Sequence, residues 1–258
     1  MSFIISEVID NVCLITLNRP DKFNSFNRKM ALELQSALDD CMRDEDVRAI
    51  YLTGEGKAFS AGQDLGEAVD PEGPSLRSIV HGHYNPIITR IRMIEKPVVA
   101  AVNGVAAGAG ANIALACDIV VAKESASFLQ AFSKIGLIPD SGGTFFLPRL
   151  IGMQRASALM MLGEKVYAKE AEQMGMIYKC FADEDFETAA KEIAFRLAKM
   201  PTRGLAYTKQ ALNKSYKHDY QQQLALEEEL QELSGRTDDF EEGVAAFLEK
   251  RPPVFKGK

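Results

Sequence analysis

The chain predicts an α/β core on a mostly parallel sheet, followed by a helical C-terminal part. Three observations carry this expectation. Short β-rich runs alternate with stretches of helical spacing over the first 150 or so residues, the pattern of βαβ units. Pro97 to Val102 is apolar throughout, as a buried strand is. Beyond about Met153 the periodicity is nearly all helical.

In order, Phe3 to Glu7 and Val12 to Leu17 read as strands joined at Asp10-Asn11, a hairpin signal. Asn27 to Met42 carries Met30, Leu32, Leu34, Leu38 and Met42 at helical spacing. Val47 to Thr53 is a strand ended by Gly54 and Gly56, and Asp70 to Pro74 is a loop. Ser75 to Glu95 predicts one long helix that Pro97 closes. After the strand Pro97 to Val102 comes a Gly/Ala run, Gly104 to Ala111, with a helix opening near its end and running towards Cys117. Ile119 to Ala122 is the next strand. Helices are then expected over Lys169 to Met174, Glu184 to Lys199, Thr202 to Tyr216, Tyr220 to Leu233 and Asp239 to Glu249, where Pro252-Pro253 stops the last.

A length of 258 residues with 47% hydrophobic and 26% charged residues is that of a soluble globular protein with a sizeable core. The net charge of −6 offers no general attraction for nucleic acid or an anionic membrane, so neither is an expected partner. The four cysteines form no CxxC pair and read as buried free thiols of a reducing compartment. The opening MSFIISEVIDNVCLITLNRP lacks the basic and apolar regions of a signal peptide, and no run reaches the ~20 apolar residues of a membrane span. A cytoplasmic location is expected.

One carboxylate stands out. Asp140 sits among Ile135, Leu137, Ile138, Phe145, Phe146 and Leu147 with no cation beside it in sequence. It is either a turn residue that reaches solvent or an acid/base group whose pKa burial has raised. VNGVAAGAGANIA (Val102 to Ala114) follows a strand and precedes a helix, but a third glycine and a downstream acid are missing, so it is no dinucleotide fingerprint. Its small residues serve either close helix–sheet packing or the approach of negative charge to backbone N–H groups. KAFSAGQDL (Lys57 to Leu65) is a second such turn; two N–H donors converging from two loops would make an oxyanion hole. Lys22, Arg28 and Lys57 flank these loops and could meet a phosphate or simply face solvent. No G-x-S-x-G, HExxH or P-loop is present, and His81-x-His83 lacks the partners of a metal site, so no metal is expected.

Taken together, NRPDKFNSFN (Asn18 to Asn27), AFSAGQDL (Ala58 to Leu65), KPVVAAVNGVAAGAGANIALACDIVVA (Lys96 to Ala122), FSKIGLIPDSGGTFFLPRLIG (Phe132 to Gly152) and the ending DFEEGVAAFLEKRPPVF resemble the crotonase, or enoyl-CoA hydratase/isomerase, superfamily. The resemblance runs in order along almost the whole chain. It implies a ClpP-like fold of repeated ββα units over residues 1–200 and a helical trimerisation region over 201–258. It also implies a homotrimer or homohexamer, an acyl-CoA thioester substrate that itself brings the coenzyme A, and no separate cofactor.

By position, the resemblance gives the oxyanion hole to the backbone N–H groups of Gln63 and Ala109. The two glutamates with which the family's hydratases add water fall at Asn112 and Phe132, so hydration by that route is not expected. Asp140 remains as the single acid/base, which suits an isomerase because it ends in its starting protonation state. GQDL, the DPEGP loop, HYNPIITRI and VAAGAGA are most similar to the branch that isomerises the ring epoxide of phenylacetyl-CoA in phenylacetate catabolism. The CoA part is expected across Lys22, Phe23, Asn24, Ala58, Ala61, Asp64 and Leu65, and the acyl part among Tyr84, Asn112, Phe132, Leu137, Ile138 and Phe145. Two other readings stay open: an isomerase of aliphatic Δ3-enoyl thioesters, and a hydratase-like binding subunit in complex with another enoyl-CoA hydratase of the pathway.

Overall fold

The computed structural model describes residues 2–258. β1 (Ile4–Ile9) and β2 (Val12–Leu17) form an antiparallel hairpin. Its turn residues Asp10 and Asn11 both hold positive φ, 46° and 65°, as the two-residue turns that match strand twist require. The chain then runs through a 3₁₀ turn (Pro20–Lys22) into α1 (Arg28–Arg43), whose N-cap Asn27 accepts the Met30 N–H at 3.0 Å.

Three consecutive strand pairs follow, and each supplies one strand to each of two sheets. They are β3 (Ala49–Gly54) with β4 (Ala58–Ser60), β5 (Val98–Val102) with β6 (Val105–Ala107), and β7 (Ile119–Lys123) with β8 (Ser127–Leu129). Between the first and second pairs lie α2 (Leu65–Ala68), α3 (Leu76–Ile79), a π-helical turn (Val80–Tyr84) and α4 (Asn85–Met93). α5 (Ala109–Leu115) follows the second pair, and a 3₁₀ turn (Ala131–Ile135), α6 (Gly143–Ile151) and α7 (Met153–Leu162) follow the third. β9 (Lys165–Tyr167), α8 (Ala168–Gln173) and β10 (Lys179–Phe181) complete the core, and α9 (Phe186–Ala198), α10 (Thr202–Ser215), α11 (Tyr220–Ser234) and α12 (Asp238–Glu249) end the chain.

The larger sheet has six strands in the order β1-β2-β3-β5-β7-β10, parallel except for the β1–β2 hairpin. The smaller has the order β4-β6-β8-β9, with only β8–β9 antiparallel. The period-2 alternation of strands divides the residues of the larger sheet between two cores. Ile15, Ile50, Leu52, Val98, Ala100 and Val102 face α1, α4 and α5. Val12, Ala49, Tyr51, Val99, Ala101 and Val121 face Phe186, Ala190, Ala194 and Ala198 of α9. Both faces are covered, which is why these strands read as nearly unbroken apolar runs.

The long helix expected over Ser75 to Glu95 forms from Leu76 to Met93, with a π-helical turn inside it. Pro86 has no N–H for the carbonyl four residues back. The helix widens there, and the Asn85 N–H bonds Val80 C=O, five residues earlier. The Gln35 side chain of α1 donates instead to the carbonyls of Gly82, at 2.9 Å, and His83, at 3.1 Å.

α10 is tied to the core by a charge cluster in which Lys209 is buried and Asp118 and Arg92 are half-buried. Asp118 accepts Lys209 Nζ at 2.7 Å and Arg92 Nη1 at 3.0 Å, and Arg92 also bonds Asn213. Of the cysteines, Cys13, Cys41 and Cys117 are buried free thiols and Cys180 is half-buried. No helix among the described residues is long and apolar enough to cross a membrane.

Candidate active site

The site begins where two small-residue loops touch. Phe26 forms an isolated parallel bridge with Gln63: the Phe26 N–H donates to Gly62 C=O at 2.6 Å, and the Asp64 N–H to Phe26 C=O at 2.8 Å. Bonds from the residues on either side of Gln63 occupy that flank, so the Gln63 N–H points to the opposite one. Against Gly62 lies the segment 107–109. A Cβ on Gly62 would stand 2.8 Å from Ala107 O and 3.3 Å from Ala109 N, and one on Gly110 would stand 2.5 Å from Ser60 O. The glycines therefore serve close packing, which sets Gly62, the residue before Gln63, against Ala109. Ala109 opens α5, so its N–H has no intrahelical acceptor. α5 has only seven residues, and the local N–H rather than a long helix dipole is what it can offer. Gly108 holds φ 53° with ψ −128°, a combination that side chains other than glycine's resist.

Asn24 underlies the first loop. Its side chain is fully buried, accepts the Arg19 N–H at 2.7 Å and donates to Glu55 C=O and Ala58 C=O at 2.9 and 2.7 Å. The Asn24 amide and the buried Ala58 thus frame the rim from beneath. Lys22, Phe23, Ala61 and Leu65 lie exposed on it, beside Lys57. The Asp64 carboxylate is engaged by Arg19 at 2.7 Å and caps α2 through the Gly66 N–H at 2.9 Å. Burial alone would raise the pKa of Asp64, but those partners hold it below the ordinary value.

Across the site, the π-turn aims Tyr84 at Gln63. The Tyr84 hydroxyl donates to Gln63 Oε1 at 2.7 Å, and Gln63 Nε2 donates to Glu67 Oε2 at 3.1 Å. Glu67 in turn accepts the Arg28 N–H at the start of α1, at 2.9 Å. Tyr84 is buried edge-on against Phe26. Burial, with added repulsion from Asp140, Glu67 and Asp64, holds its pKa well above the usual phenol value. Asp140 is therefore electrostatically close to the Tyr84–Gln63 pair.

Asp140 lies in a tight turn in which Ser141 and Gly142 take left-handed φ of 51° and 72°. It is half-buried and accepts the Ser141 hydroxyl at 2.9 Å. Burial pushes its carboxyl above the ordinary carboxylate value; the Ser141 hydroxyl and its own backbone oppose this only in part. Asp140 is thus on a turn and partly withdrawn from solvent.

The apolar contacts of this turn are Phe146 and Ile88, which a Cβ on Gly142 would meet at 2.7 and 3.7 Å. Leu137 is 39% and Ile138 81% exposed on the protomer. They follow a 3₁₀ turn that ends in left-handed Gly136, and this carries them outward. Phe132 is buried with its ring over Gly108, 3.8 Å from where a Cβ would stand. Phe145 packs edge-on against Phe146 and Tyr216.

Asn112 is fully buried, and its amide donates to the Asp140 carbonyl at 2.9 Å. Gln130, not singled out from the sequence, donates to Asn112 Oδ1 at 2.8 Å. Its signal was available: it is a polar residue in the otherwise apolar FLQAF. Among the described residues no cluster of three or more His, Cys, Asp or Glu side chains could hold a metal.

The enoyl-CoA hydratase/isomerase family model matches residues 7–258. The chain belongs to the enoyl-CoA hydratase/isomerase, or crotonase, family. It is 48% identical to the 1,2-epoxyphenylacetyl-CoA isomerase of Escherichia coli K12, over the full length of both chains. It is 46% identical to a protein of Rhodobacter capsulatus named a probable enoyl-CoA hydratase, with 98% of this chain and 97% of that one covered. The crystal structure of an enoyl-CoA hydratase from Bacillus anthracis superposes with a TM-score of 0.92 at 34% identity, covering 100% of each chain. As a member of this family, the chain has the crotonase fold and is an enzyme of hydratase/isomerase type.

Proposed function

We propose that this enzyme is an acyl-CoA isomerase that uses Asp140 as its single acid/base. The observation that carries the reading is a half-buried carboxyl of raised pKa whose charge reaches Tyr84, the hydrogen-bond partner of Gln63; the reading takes the Gln63 and Ala109 amides, on two loops packed together, as the oxyanion hole. The thioester oxygen sits between those amides. Asp140 takes a proton from the carbon next to the thioester, and the amides hold the charge that develops on oxygen, an effect worth about 3–4 kcal/mol per donor. The proton returns at the γ-carbon, so a β,γ double bond becomes an α,β one and Asp140 ends ionised as it began. A raised pKa brings the group nearer to working pH, where a proton shuttle is most effective.

The physiological substrate we infer is the ring 1,2-epoxide of phenylacetyl-CoA. A proton leaves the side-chain carbon, the ring bond shared with the epoxide opens to a seven-membered oxepin, and a proton returns to a ring carbon. The formula is unchanged and no redox partner is needed. The identity to the Escherichia coli isomerase and the aromatic group Phe145, Phe146 and Tyr216 near the Asp140 turn support this reading. Lys22 and Lys57 on the rim suit the phosphates of CoA, with the adenine near Asp64 and Leu65. A homotrimer or homohexamer belongs to the same reading, supported by apolar side chains bare on the protomer, among them Phe247 (82% exposed) and Met161 (75%).

The deciding experiment follows a β,γ-unsaturated acyl-CoA in D₂O with wild type and Asp140→Asn. Isomerisation with deuterium uptake by wild type alone supports the shuttle. Equal performance by both proteins removes Asp140 from the mechanism. The ring epoxide set against an aliphatic Δ3-enoyl-CoA then decides the substrate class, and CoA-ester binding without any turnover would favour a binding subunit.

A further inference from the structure

The strongest unused feature is a one-way chain of buried amides that ends on Asp140. Asn112 Nδ2 must face the Asp140 carbonyl, because only the NH₂ end can donate to it, at 2.9 Å. Asn112 Oδ1 is then the end that accepts Gln130 Nε2 at 2.8 Å. That fixes the Gln130 amide in turn, and its Oε1 is left buried without a partner. The chain therefore runs Gln130 to Asn112 to Asp140 with both orientations forced. The Asp140 carbonyl also accepts the Gly143 N–H at 2.9 Å. Gly143 lies so close to the Asn112 amide that an added Cβ would stand 2.3 Å from Nδ2. Asn112 is 0% and Gln130 4% exposed. Every polar atom of the Asn112 side chain is committed, at least once, to holding the Asp140 turn or the residue behind it.

We infer that Asn112, braced by Gln130, is a positioning residue that sets the height and burial of the Asp140 carboxyl, and that it makes no direct contact with the reacting atoms. The inference rests on the proposed role of Asp140. It gives a second meaning to an uncharged side chain at position 112: the amide there is in use, and an ionised acid in its place would present a lone pair to the Asp140 carbonyl instead of a hydrogen. The turn itself is strained, with left-handed Ser141 and Gly142 in succession, so it needs an external clamp to keep one geometry.

The test uses Asn112→Leu, which keeps the shape and loses both polar ends, and Gln130→Met, which removes only the brace. Isomerisation of a β,γ-unsaturated acyl-CoA should lose roughly 10²-fold in kcat with Asn112→Leu, the scale of a ~1 Å misplacement, with KM nearly unchanged. Gln130→Met should fall between it and wild type. The second readout needs no substrate. The Asp140 carboxyl carbon, labelled with ¹³C and assigned through Asp140→Asn, is titrated in each protein. A turn released towards solvent lowers the midpoint towards 3.8, the ordinary Asp value. The titratable neighbours that share this space, Tyr84 and beyond it Glu67 and Asp64, are untouched by either variant.

Folded variants with wild-type kcat and an unmoved midpoint overturn the inference. So does a loss of kcat that only follows the folded fraction. If Asn112→Leu fails to fold, Gln130→Met decides by the same two readouts. If wild type does not isomerise the thioester at all, the proposed function fails, and the titration still decides whether the clamp sets the Asp140 carboxyl.

Discussion

Replacing Asp140 by Asn should cut isomerisation sharply and, at neutral pH, make the protein more stable. Asn is nearly isosteric: its Oδ1 can keep the Ser141 hydroxyl at 2.9 Å, and the backbone carbonyl keeps Asn112 and Gly143. What disappears is the charge. Burial raises the folded-state pKa of Asp140 above the 3.8 of an ordinary Asp, so the folded protein holds this proton more tightly than the unfolded chain does. Below pH 3.8 the group is neutral in both states and costs nothing. As pH rises from 3.8 through the folded pKa, wild type loses stability progressively, and Asn does not.

Each unit of that rise is worth about 1.4 kcal/mol, or roughly 3–6 °C in Tm for a chain of this size. The assay is thermal unfolding of both proteins at pH 7 and at pH 4.5, beside turnover. The variant should gain most at pH 7 and less at pH 4.5. Activity should fall by about 10²–10⁴-fold, the range for removal of a general acid/base. A variant less stable than wild type at pH 7, or an advantage independent of pH, would refute the desolvated carboxylate.

Tyr84→Phe leaves the half-buried Gln63 Oε1 without its 2.7 Å donor, a loss of about 1 kcal/mol of stability, and a thermal scan should show Tm lower by ~2–4 °C. Gly108→Ala meets no atom closer than the Phe132 ring at 3.8 Å, so its cost is backbone strain at φ 53°, about 1–3 kcal/mol; a lowered Tm with lost turnover is expected, and ligand-free crystallography should show the Ala109 amide turned. Lys209→Met removes one of two cations from Asp118 while Arg92 and the Val98 N–H remain. The cost should lie near the lower end of the 3–5 kcal/mol for breaking a buried pair, about 3 kcal/mol, or ~6–12 °C in a thermal scan.

The central strands of the larger sheet, β2, β3, β5 and β7, were legible because burial leaves mostly apolar residues to write them with, whereas β10 at its edge was not read as a strand. The smaller sheet was not legible. β4, β6 and β9 are three residues each, and the Gly/Ala-rich Gly104 to Ala111 hides β6 inside what reads as a loop. Their identity as strands comes from pairing with segments far along the chain, which no local window contains. The same is true of the site. Asp140 could be singled out because a carboxylate among apolar neighbours is anomalous on its face. Gln130 and Glu67 could not be paired with Asn112 and Gln63 from the sequence, because their roles are distances between loops. Pro86 was another local signal passed over, and it widens the helix expected from Ser75 to Glu95.

That widened turn at Val80–Tyr84 is also a register device. Each residue in an α-helix advances the side chains by 100°, so one residue more or fewer inside the turn rotates everything on one side of it against everything on the other. With Ile87 and Ile91 locked into the core after the turn, such a deletion would swing the α3 half of the helix and the loop before it instead. With Ile79 locked before it, Tyr84 would leave Gln63. A single-residue length change here is thus a switch of lining chemistry that needs no substitution in the site at all. Family members that differ in length at this turn should differ in which side chain stands over Gln63, however alike their loops remain.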